Sequence, residues 1–355
     1  MYLLKFPDFA SPRKLVFYLS VEEYLSSNLD KVLPGVPSGD RAIYFLWGST
    51  PTVIFGRNQV MEREVNVPYC QEHGIEFFRR KSGGGCVYSD EGNIMVSFVC
   101  SDTDVARVFS LFQDRLCACF RSLGLPAERS ERNDVLVGGK KVCGGAFLLM
   151  PSSSVVHSTL LFDSDFSVLE KAITPSQEKI ESKGVKSVRQ HVANLADFLR
   201  ESPDPAVREL TDKGKFLSYL EKFLTSDGPA FTLTLDQLSA IDEIERTYLD
   251  PSFIQGKTYT QSEEIVTKGK FPRCGEVSCR FKVKDGAIVS MKIDGDFFCL
   301  GSRPQEELES VFTGCPLRKE DVMERIEAVD IGQYIMNLGS DEFLSLFPLP
   351  GNDSR

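Results

Sequence analysis

The stretch RRKSGGGCV, residues 79–87, is the part of the sequence from which the fold and the function are best deduced. It follows an apolar run at 75–78 and precedes another at 93–100, and both runs are typical of buried strands. Three glycines at 83–85 weaken a strand, but they permit positive φ and allow backbone N–H groups to converge. With the cations at 79–81, the loop predicts a site for a phosphate or a carboxylate. A bulged turn with solvated arginines stays open for this stretch alone.

The common nucleotide motifs are absent from the sequence. Gly139-Lys140 lacks the earlier glycine of a G-x-x-x-x-G-K-[ST] loop and is followed by Lys141, and no G-x-G-x-x-G is present. The wider run RRKSGGGCVYSDEGN, residues 79–93, instead resembles the RR-x-SGGG-x-V-[YF]-H-D-x-GN signature of the lipoate-protein ligase family, which is related in fold to biotin-protein ligases.

Composition limits the class of protein. The chain has 355 residues, of which 42% are hydrophobic and 26% charged, as in an ordinary globular protein with room for a second small domain. A net charge of −10 opposes nonspecific binding to nucleic acid or to anionic membranes. No signal peptide and no membrane-spanning run is found, so we predict a cytoplasmic protein and, by default, a monomer. Ten cysteines without a C-x-x-C motif predict free thiols.

The periodicity of the chain predicts two domains. Helical spacing ends near residues 250–256, so we place a catalytic domain at 1–250 and an accessory domain at 258–348. The second domain has two alternating strands around Asp285-Gly286 and then helices, and it resembles the C-terminal domain of long-form lipoate ligases. The expected fold class is α+β: a biotin/lipoate-ligase-like catalytic domain of mixed sheets flanked by helices, with a small α+β C-terminal domain.

A second chemical stretch, ERNDVLVGGKKVCGGAFLLM, occupies residues 131–150. It predicts a hairpin that turns at Gly138-Gly139. Successive lysines, Lys140 and Lys141, leave opposite faces of a strand, and an inward lysine is costly unless it meets an anion. Two exposed lysines at a hairpin tip stay open as the alternative. The stretch resembles the family motif RND…G-x-K-[IV]-SG-[SN]-A, which assigns the catalytic lysine to Lys141.

Two further stretches resemble family motifs in the same order. VVHSTLLF, residues 155–162, is similar to HHGTLL and keeps His157, although a hydrogen-bonded core histidine is favoured by the residues alone. KIESKGVKSVRQHVANL, residues 179–195, resembles K-x-x-KG-[IV]-x-S-V-x-x-R-V-x-NL. Ser89 and Val156 stand where the family usually has histidines, and serine does not titrate near neutral pH. The Gly138-Gly139 turn and the segment 179–189 are the expected moving parts.

The resemblance implies an ATP-dependent ligase. Lipoate and ATP would form lipoyl-AMP and pyrophosphate, and a lysine of an apo lipoyl domain would then take the lipoyl group. The implied carriers are the acyltransferase subunits of 2-oxoacid dehydrogenases and the glycine-cleavage H protein. ATP, Mg²⁺ and lipoate are implied, with no tightly bound cofactor.

Family motifs and residue chemistry together assign the site residues. The expected ATP and adenylate contacts are Arg80, Ser82, Gly83, Gly84, Gly85, Cys86, Val87, Tyr88, Asp134 and Lys141. The expected lipoate contacts are Trp47, Arg80, Gly85, Lys141 and His157, with Phe78, Val87 and Ala146 as further apolar walls. Mg²⁺ is assigned, through water, to Asn133, Asp134 and Asn93. Lys141 is expected to bridge the lipoate carboxylate and the α-phosphate.

Two other functions stay open. A cysteine-dependent octanoyl or lipoyl transferase of the same fold would use Cys143, which shares a strand face with Lys141. Against it, the family's transferase cysteine occupies the RND position, here Arg132-Asn133-Asp134, and transferases lack the second domain. A non-catalytic carrier-binding module would be favoured if Lys141 could not reach the glycine loop.

Overall fold

The computed structural model describes residues 1–7, 9, 13–173, 191–256, 264–301 and 304–349. The segment 179–189, expected to move, lies outside the described residues. So does the start of the accessory domain at 258–263, and the domain limits therefore stay a prediction.

Strands make up two mixed sheets and one antiparallel sheet. In chain order the described strands are β1 (Tyr2–Lys5), β2 (Ala42–Trp47), β3 (Thr52–Phe55), β4 (Glu76–Arg79), β5 (Val87–Ser89), β6 (Asn93–Cys100), β7 (Ala127–Arg129), β8 (Asp134–Val137), β9 (Lys140–Met150), β10 (Ser153–Leu161), β11 (Ala230–Thr232), β12 (Glu264–Phe271), β13 (Gly275–Lys284) and β14 (Ala287–Gly295).

Helices flank these sheets. In chain order the described α-helices are α1 (Leu15–Ser27), α2 (Leu29–Val32), α3 (Met61–Glu64), α4 (Val67–Glu72), α5 (Val105–Ser122), α6 (Phe166–Ala172), α7 (Leu195–Arg200), α8 (Pro205–Arg208), α9 (Lys213–Thr225), α10 (Leu235–Leu249), α11 (Pro251–Gln255), α12 (Pro304–Val311), α13 (Lys319–Glu327) and α14 (Ser340–Leu344). None of the helices within the described ranges is long and apolar enough to cross a membrane.

The large sheet has eight strands in the order β11-β1-β2-β6-β10-β9-β8-β7. Its β6 is buried along its whole length, which explains why the sequence run is apolar on both alternating faces. Val96 and Phe98 pack in the layer that contains α5 and α9, whereas Met95 and Val99 pack in the layer that contains α1 and α10. The sheet is therefore covered by helices on both faces.

The smaller sheet, β4-β3-β5, holds the glycine loop. The loop leaves β4 after Arg79 and returns in β5 at Val87, and β3 lies between the two strands. Both ends of the loop are thus fixed to the same central strand, which limits how far the glycines can move.

The C-terminal part of the chain is a separate antiparallel sheet, β12-β13-β14, with its own apolar core. Asp285 and Gly286 turn from β13 into β14 with φ values of 52° and 74°, as the hairpin pattern predicts. Helices α12, α13 and α14 contribute to that core. The observed architecture confirms the predicted α+β class.

Candidate active site

One cavity of about 220 Å³ lies between the glycine loop, the β8–β9 hairpin and β10. Its polar walls are Arg80, Gly84, Gly85, Arg132, Asn133, Asp134, Lys141, Gly144, Gly145, His157, Ser158, Thr159 and Asp296. Its apolar walls are Leu19, Ile54, Cys86, Val87, Met95 and Ala146. The fold therefore brings the glycine loop and the lysine hairpin, which are about 50 residues apart in sequence, to opposite sides of the same space.

Lys141 reaches the cavity from the hairpin. Gly138 and Gly139 form the turn with φ values of 57° and 76°, which only glycine adopts easily. Lys140 then points to solvent, while the Lys141 Nζ lies 2.7 Å from Asp134 Oδ1 and its side chain is 34% exposed. The two lysines leave opposite faces of β9, as the strand geometry predicts, and the inward one meets a carboxylate.

Asn133 and Asp134 lie beside Lys141, but Asn93 does not. The Asn133 side chain donates to the Gly145 carbonyl at 2.7 Å, which holds the start of β8 against β9. Asn93 lies in β6, and β9 and β10 separate that strand from β8. Three strand spacings amount to about 14 Å, too far for one ion to bind both Asn93 and Asp134. Instead, Asn93 is fully buried and donates to the Tyr88 carbonyl at 3.5 Å.

Arg80 lines the cavity, but most of its donors are bonded within the protein. It is 5% exposed, and burial lowers its pKa to about 10, so it remains protonated at neutral pH. Its guanidinium donates to the Ile54 carbonyl (3.3 Å), the Ser82 hydroxyl (3.0 Å), and the carbonyls of Gly83 (2.7 Å) and Gly85 (2.8 Å). These bonds use one N–H on Nε, one on Nη1 and two on Nη2, which is four of five donors. Arg80 therefore shapes the loop.

Two of the three loop glycines are packed beneath a segment of the C-terminal domain. A Cβ on Gly83 would lie 2.4 Å from the Phe297 carbonyl, and one on Gly84 would lie 3.0 Å from the Phe298 ring. The Gly84 N–H donates to the Phe297 carbonyl at 3.1 Å. A Cβ on Gly85 would meet no close contact, since its nearest neighbour would be the Asp296 Oδ2 at 3.9 Å. The lack of a side chain at Gly83 and Gly84 therefore lets the backbone and ring of this segment approach the loop.

Arg132 and Asp296 are site residues that the sequence did not reveal. Both line the cavity, and the Arg132 Nη2 lies 3.2 Å from Asp296 Oδ1. Arg132 stands in the RND motif and could have been suspected from it. Asp296 follows the last strand of the other domain, and no local pattern marks it.

The apolar end of the cavity differs from the predicted one. Val87 and Ala146 line it as expected, together with Leu19, Ile54 and Met95, which were not predicted. Trp47 lies behind this wall, stacked on Tyr18 at 4.7 Å, and its indole N–H donates to the Ser97 hydroxyl at 2.8 Å. Trp47 acts here as a buried anchor. Phe78 is likewise part of the core on that side.

The remaining predicted residues lie at or just behind the walls. Cys86 lines the cavity, whereas Tyr88 is 4% exposed and packs in the core beneath the small sheet. Ser82 is buried and bonds to His157, and Gly83 is covered by Phe297. Cys143 is 1% exposed, and burial raises the pKa of its thiol to about 12, although Ser158 and Lys141 act to lower it.

Comparison with known proteins gives matches over nearly the whole chain. Residues 15–213 match the lipoyl protein ligase A/B catalytic domain, and residues 262–347 match the bacterial lipoate protein ligase C-terminus. Among curated relatives, lipoate-protein ligase LplJ of Bacillus subtilis is 32% identical over 92% of this chain and 95% of that protein. Lipoate-protein ligase 1 of Staphylococcus aureus is 31% identical over 92% of this chain and 95% of that protein.

Solved structures agree in fold. LipL1 of P. falciparum in complex with lipoate covers 97% of this chain and 96% of its own, with a TM-score of 0.70 at 22% identity. A lipoate-protein ligase A bound with ATP is 27% identical, with a TM-score of 0.54, over 72% of this chain and 98% of its own. A bipartite lipoate protein ligase from Thermoplasma acidophilum, described with its E2 lipoyl domain, is also 27% identical, with a TM-score of 0.59, over 74% and 98%.

Proposed function

The chain belongs to the lipoate-protein ligase family, and from that premise we propose that it activates lipoate with ATP and transfers the lipoyl group to a carrier lysine. The intermediate is lipoyl-AMP. The acceptors are apo lipoyl domains of 2-oxoacid dehydrogenase complexes and the glycine-cleavage H protein. A relative solved with ATP and another described with its E2 lipoyl domain support this chemistry.

The observation that carries the proposal is the position of Lys141. Its side chain is partly exposed, its Nζ has a carboxylate neighbour at 2.7 Å, and it shares one cavity with Gly84 and Gly85. A compact cation that faces a loop of backbone groups suits a reaction in which two anions must meet. A carrier-binding module without catalysis would not need this arrangement.

In the first step, a lipoate carboxylate oxygen attacks the α-phosphorus of ATP and pyrophosphate leaves. Lys141 lies where it can neutralise the carboxylate and the α-phosphate together. Arg132 supplies a second cation in the cavity, while Arg80, which also lines the cavity, holds the loop in shape. Positive charge that is placed before the reaction stabilises negative charge in the transition state.

Mg²⁺ fits the residues only in part. The Asp134 carboxylate and the Asn133 amide oxygen suit a hard cation that keeps most of its waters. Among the described residues no group of three or more His, Cys, Asp or Glu side chains could hold a metal. The ion would therefore arrive with the phosphates of ATP, whose negative charge it offsets.

In the second step, the neutral ε-amine of the carrier lysine attacks the acyl carbonyl. AMP leaves with the electron pair of the mixed anhydride, and the amine loses a proton as the amide forms. The apolar walls at Leu19, Ile54 and Met95 would hold the aliphatic chain and dithiolane so that the carbonyl lies near Lys141. Shielding from water protects the adenylate from hydrolysis.

The transferase alternative depends on Cys143, and its surroundings do not favour it. A nucleophilic cysteine needs an accessible thiolate, whereas this thiol is buried and its pKa is raised to about 12. All ten cysteines lie in described parts of the chain as free thiols, as in a reducing compartment. A cytoplasmic location and a monomeric state remain our predictions.

The test is a reaction of the purified chain with lipoate, ATP-Mg²⁺ and an apo lipoyl domain. Pyrophosphate release and the mass of the carrier are measured. We expect pyrophosphate without carrier, and a carrier mass increased by one lipoyl group when carrier is present. Acylation of the carrier from an acyl thioester donor in the absence of ATP would favour the transferase, and neither product would leave only a binding function.

A further inference from the structure

A hydrogen-bonded network of buried polar side chains lies directly behind the cavity. The Glu22 carboxylate on α1 is 2% exposed, and its Oε2 lies 2.7 Å from the Nδ1 of His157 on β10. The Nε2 of His157 lies 3.0 Å from the hydroxyl of Ser82, at the entry to the glycine loop. A buried carboxylate in an otherwise apolar helix face is costly unless it is paired. The pairing links three segments that are far apart in sequence.

The donors and acceptors of these groups can be matched one after another from Arg80 to Glu22. The Arg80 Nε–H donates to the Ser82 oxygen at 3.0 Å, so the Ser82 hydrogen is available for another acceptor. In one neutral tautomer His157 Nε2 is that acceptor at 3.0 Å, which leaves Nδ1–H to donate to Glu22 at 2.7 Å. In this neutral tautomer every group from Arg80 to Glu22 has a partner.

The second oxygen of Glu22 is also fixed. The Ser97 hydroxyl donates to Glu22 Oε1 at 2.5 Å, and the Trp47 indole donates to Ser97 at 2.8 Å. Both carboxylate oxygens are therefore held by residues of the large sheet, so Glu22 cannot rotate away from His157 without loss of a buried bond.

The next residue on α1 provides a contrast. Glu23 points away from the cavity and pairs with Lys81 at 2.7 Å, and both side chains are more than 20% exposed. The two adjacent glutamates therefore differ in surroundings, although they differ little in sequence. Glu22 is part of the buried network, whereas Glu23 forms a partly exposed ion pair with Lys81.

We propose that Glu22 is a positioning residue, which fixes His157 so that His157 and Arg80 together hold Ser82 and thereby set the course of the glycine loop at the cavity. The inference rests on the proposed ligase function, because the glycine loop is expected to contact the adenylate. Glu22 itself is not among the residues that line the cavity. It acts through His157, which does line it.

The first test compares Glu22→Gln with the matched control Glu23→Gln. The substitution Glu22→Gln keeps size but weakens the acceptor for Nδ1–H, and kcat for lipoate-dependent pyrophosphate release should fall about 10- to 100-fold, as for lost partners that orient a functional histidine. The KM for lipoate should change by less than about twofold, because the carboxylate does not touch the cavity. Glu23→Gln should behave as wild type.

The second test measures coupling and a spectroscopic signature. If Glu22 acts through Ser82, the double variant Glu22→Gln/Ser82→Ala should be no slower than Ser82→Ala, whereas independent effects would multiply. The chain has only three histidines, so a low-field imidazole N–H proton resonance is readily assigned by NMR. We expect that resonance in wild type and Glu23→Gln, and its loss in Glu22→Gln.

The outcomes separate the two proposals. An inactive wild type would remove the ligase function, and the NMR result would still test the buried network. An active wild type with a normal Glu22→Gln rate, or with multiplicative effects, would overturn the positioning role of Glu22 alone. If Glu22→Gln fails to fold, judged by urea denaturation, Glu22→Asp serves the same purpose. Aspartate keeps the negative charge, but its side chain is one methylene shorter, so its carboxylate oxygens lie farther from His157 Nδ1.

Discussion

The two sides of the cavity each carry a cation, and the cations differ in what surrounds them. Arg80, behind the glycine loop, is 5% exposed and donates to three backbone carbonyls and one hydroxyl. Lys141, on the hairpin, is 34% exposed and has Asp134 as its ion-pair partner. Both were expected to contact the phosphates. Those contacts stay a prediction; in the structure Arg80 bonds mainly to the loop backbone, whereas Lys141 pairs with a single carboxylate.

The comparison shows that charge alone does not define a binding residue. A buried guanidinium whose donors are satisfied within the protein has little left to offer a substrate, and its removal leaves carbonyls unpaired. A partly exposed ammonium can exchange one carboxylate for another at small cost. Substitutions on the two sides should therefore fail in different ways: loss of catalysis at Lys141, and loss of stability at Arg80.

The largest effect is expected for Lys141→Ala. Removal of a cation that neutralises developing negative charge should lower the rate of lipoate-dependent pyrophosphate release by about 100- to 1,000-fold. Stability should change little, because the side chain is partly exposed. Lys140→Ala is the matched control, since it removes an exposed lysine from the adjacent position, and it should retain the wild-type rate. Equal rates for both variants would mean that Lys141 is not catalytic.

Arg80→Met should mainly destabilise the protein. Several charged hydrogen bonds to buried carbonyls are lost, and the free energy of unfolding should fall by about 3 kcal/mol or more. Urea denaturation measures this fall. The control is Lys81→Met, which removes a partly exposed ion pair with Glu23, a hydrogen bond to Thr247 and a contact with the Tyr248 ring, and should change stability by about 1 kcal/mol. If Arg80→Met keeps full stability but loses ATP binding, Arg80 is a phosphate ligand after all.

A smaller effect is expected for Asp296→Asn. Asparagine keeps an oxygen for the Glu276 N–H, which now donates to Asp296 at 2.6 Å, but it no longer neutralises Arg132. Arg132 should then attract the phosphates more strongly, and the KM for ATP should fall about two- to fivefold, as for a partly exposed ion pair. Asp285→Asn removes an equal charge at a distant hairpin turn and should have no effect. An unchanged KM in Asp296→Asn would show that Asp296 does not compete with ATP.

The smallest effect is expected for Cys143→Ser, which should keep the rate within about twofold. Because burial raises the thiol pKa to about 12, only about one thiol in ten thousand is ionised at pH 8. Alkylation of native Cys143, followed by peptide mass, should therefore be slow and should accelerate in urea. Rapid alkylation of the native protein together with an inactive serine variant would support the transferase.

The sequence predicted the architecture better than the details of the site. Strand alternation and the Gly138-Gly139 turn gave the hairpin, and strand geometry explained why Lys141 and not Lys140 faces inward. Contacts between distant segments were not predictable. Asp296 enters the site from the other domain, and Glu22 reaches His157 from a helix whose buried carboxylate no local pattern marks.

Trp47 and Asn93 also show that contacts between distant segments could not be predicted from the sequence. Each matched the chemistry expected of a ligand contact, an aromatic wall or an oxygen donor. Their positions depend on strand order and on which face of the sheet they occupy, and both turned out to be buried and bonded to protein groups. Residue type predicts what a side chain can do, while topology decides what it meets.

The most direct test of the account is a crystal structure with a non-hydrolysable lipoyl-AMP analogue. We expect the Lys141 Nζ within about 3 Å of both the acyl oxygen and a phosphate oxygen, with Arg80 still bonded to the loop carbonyls. If the adenylate is bound while Lys141 remains paired with Asp134 and points to solvent, the central claim is contradicted.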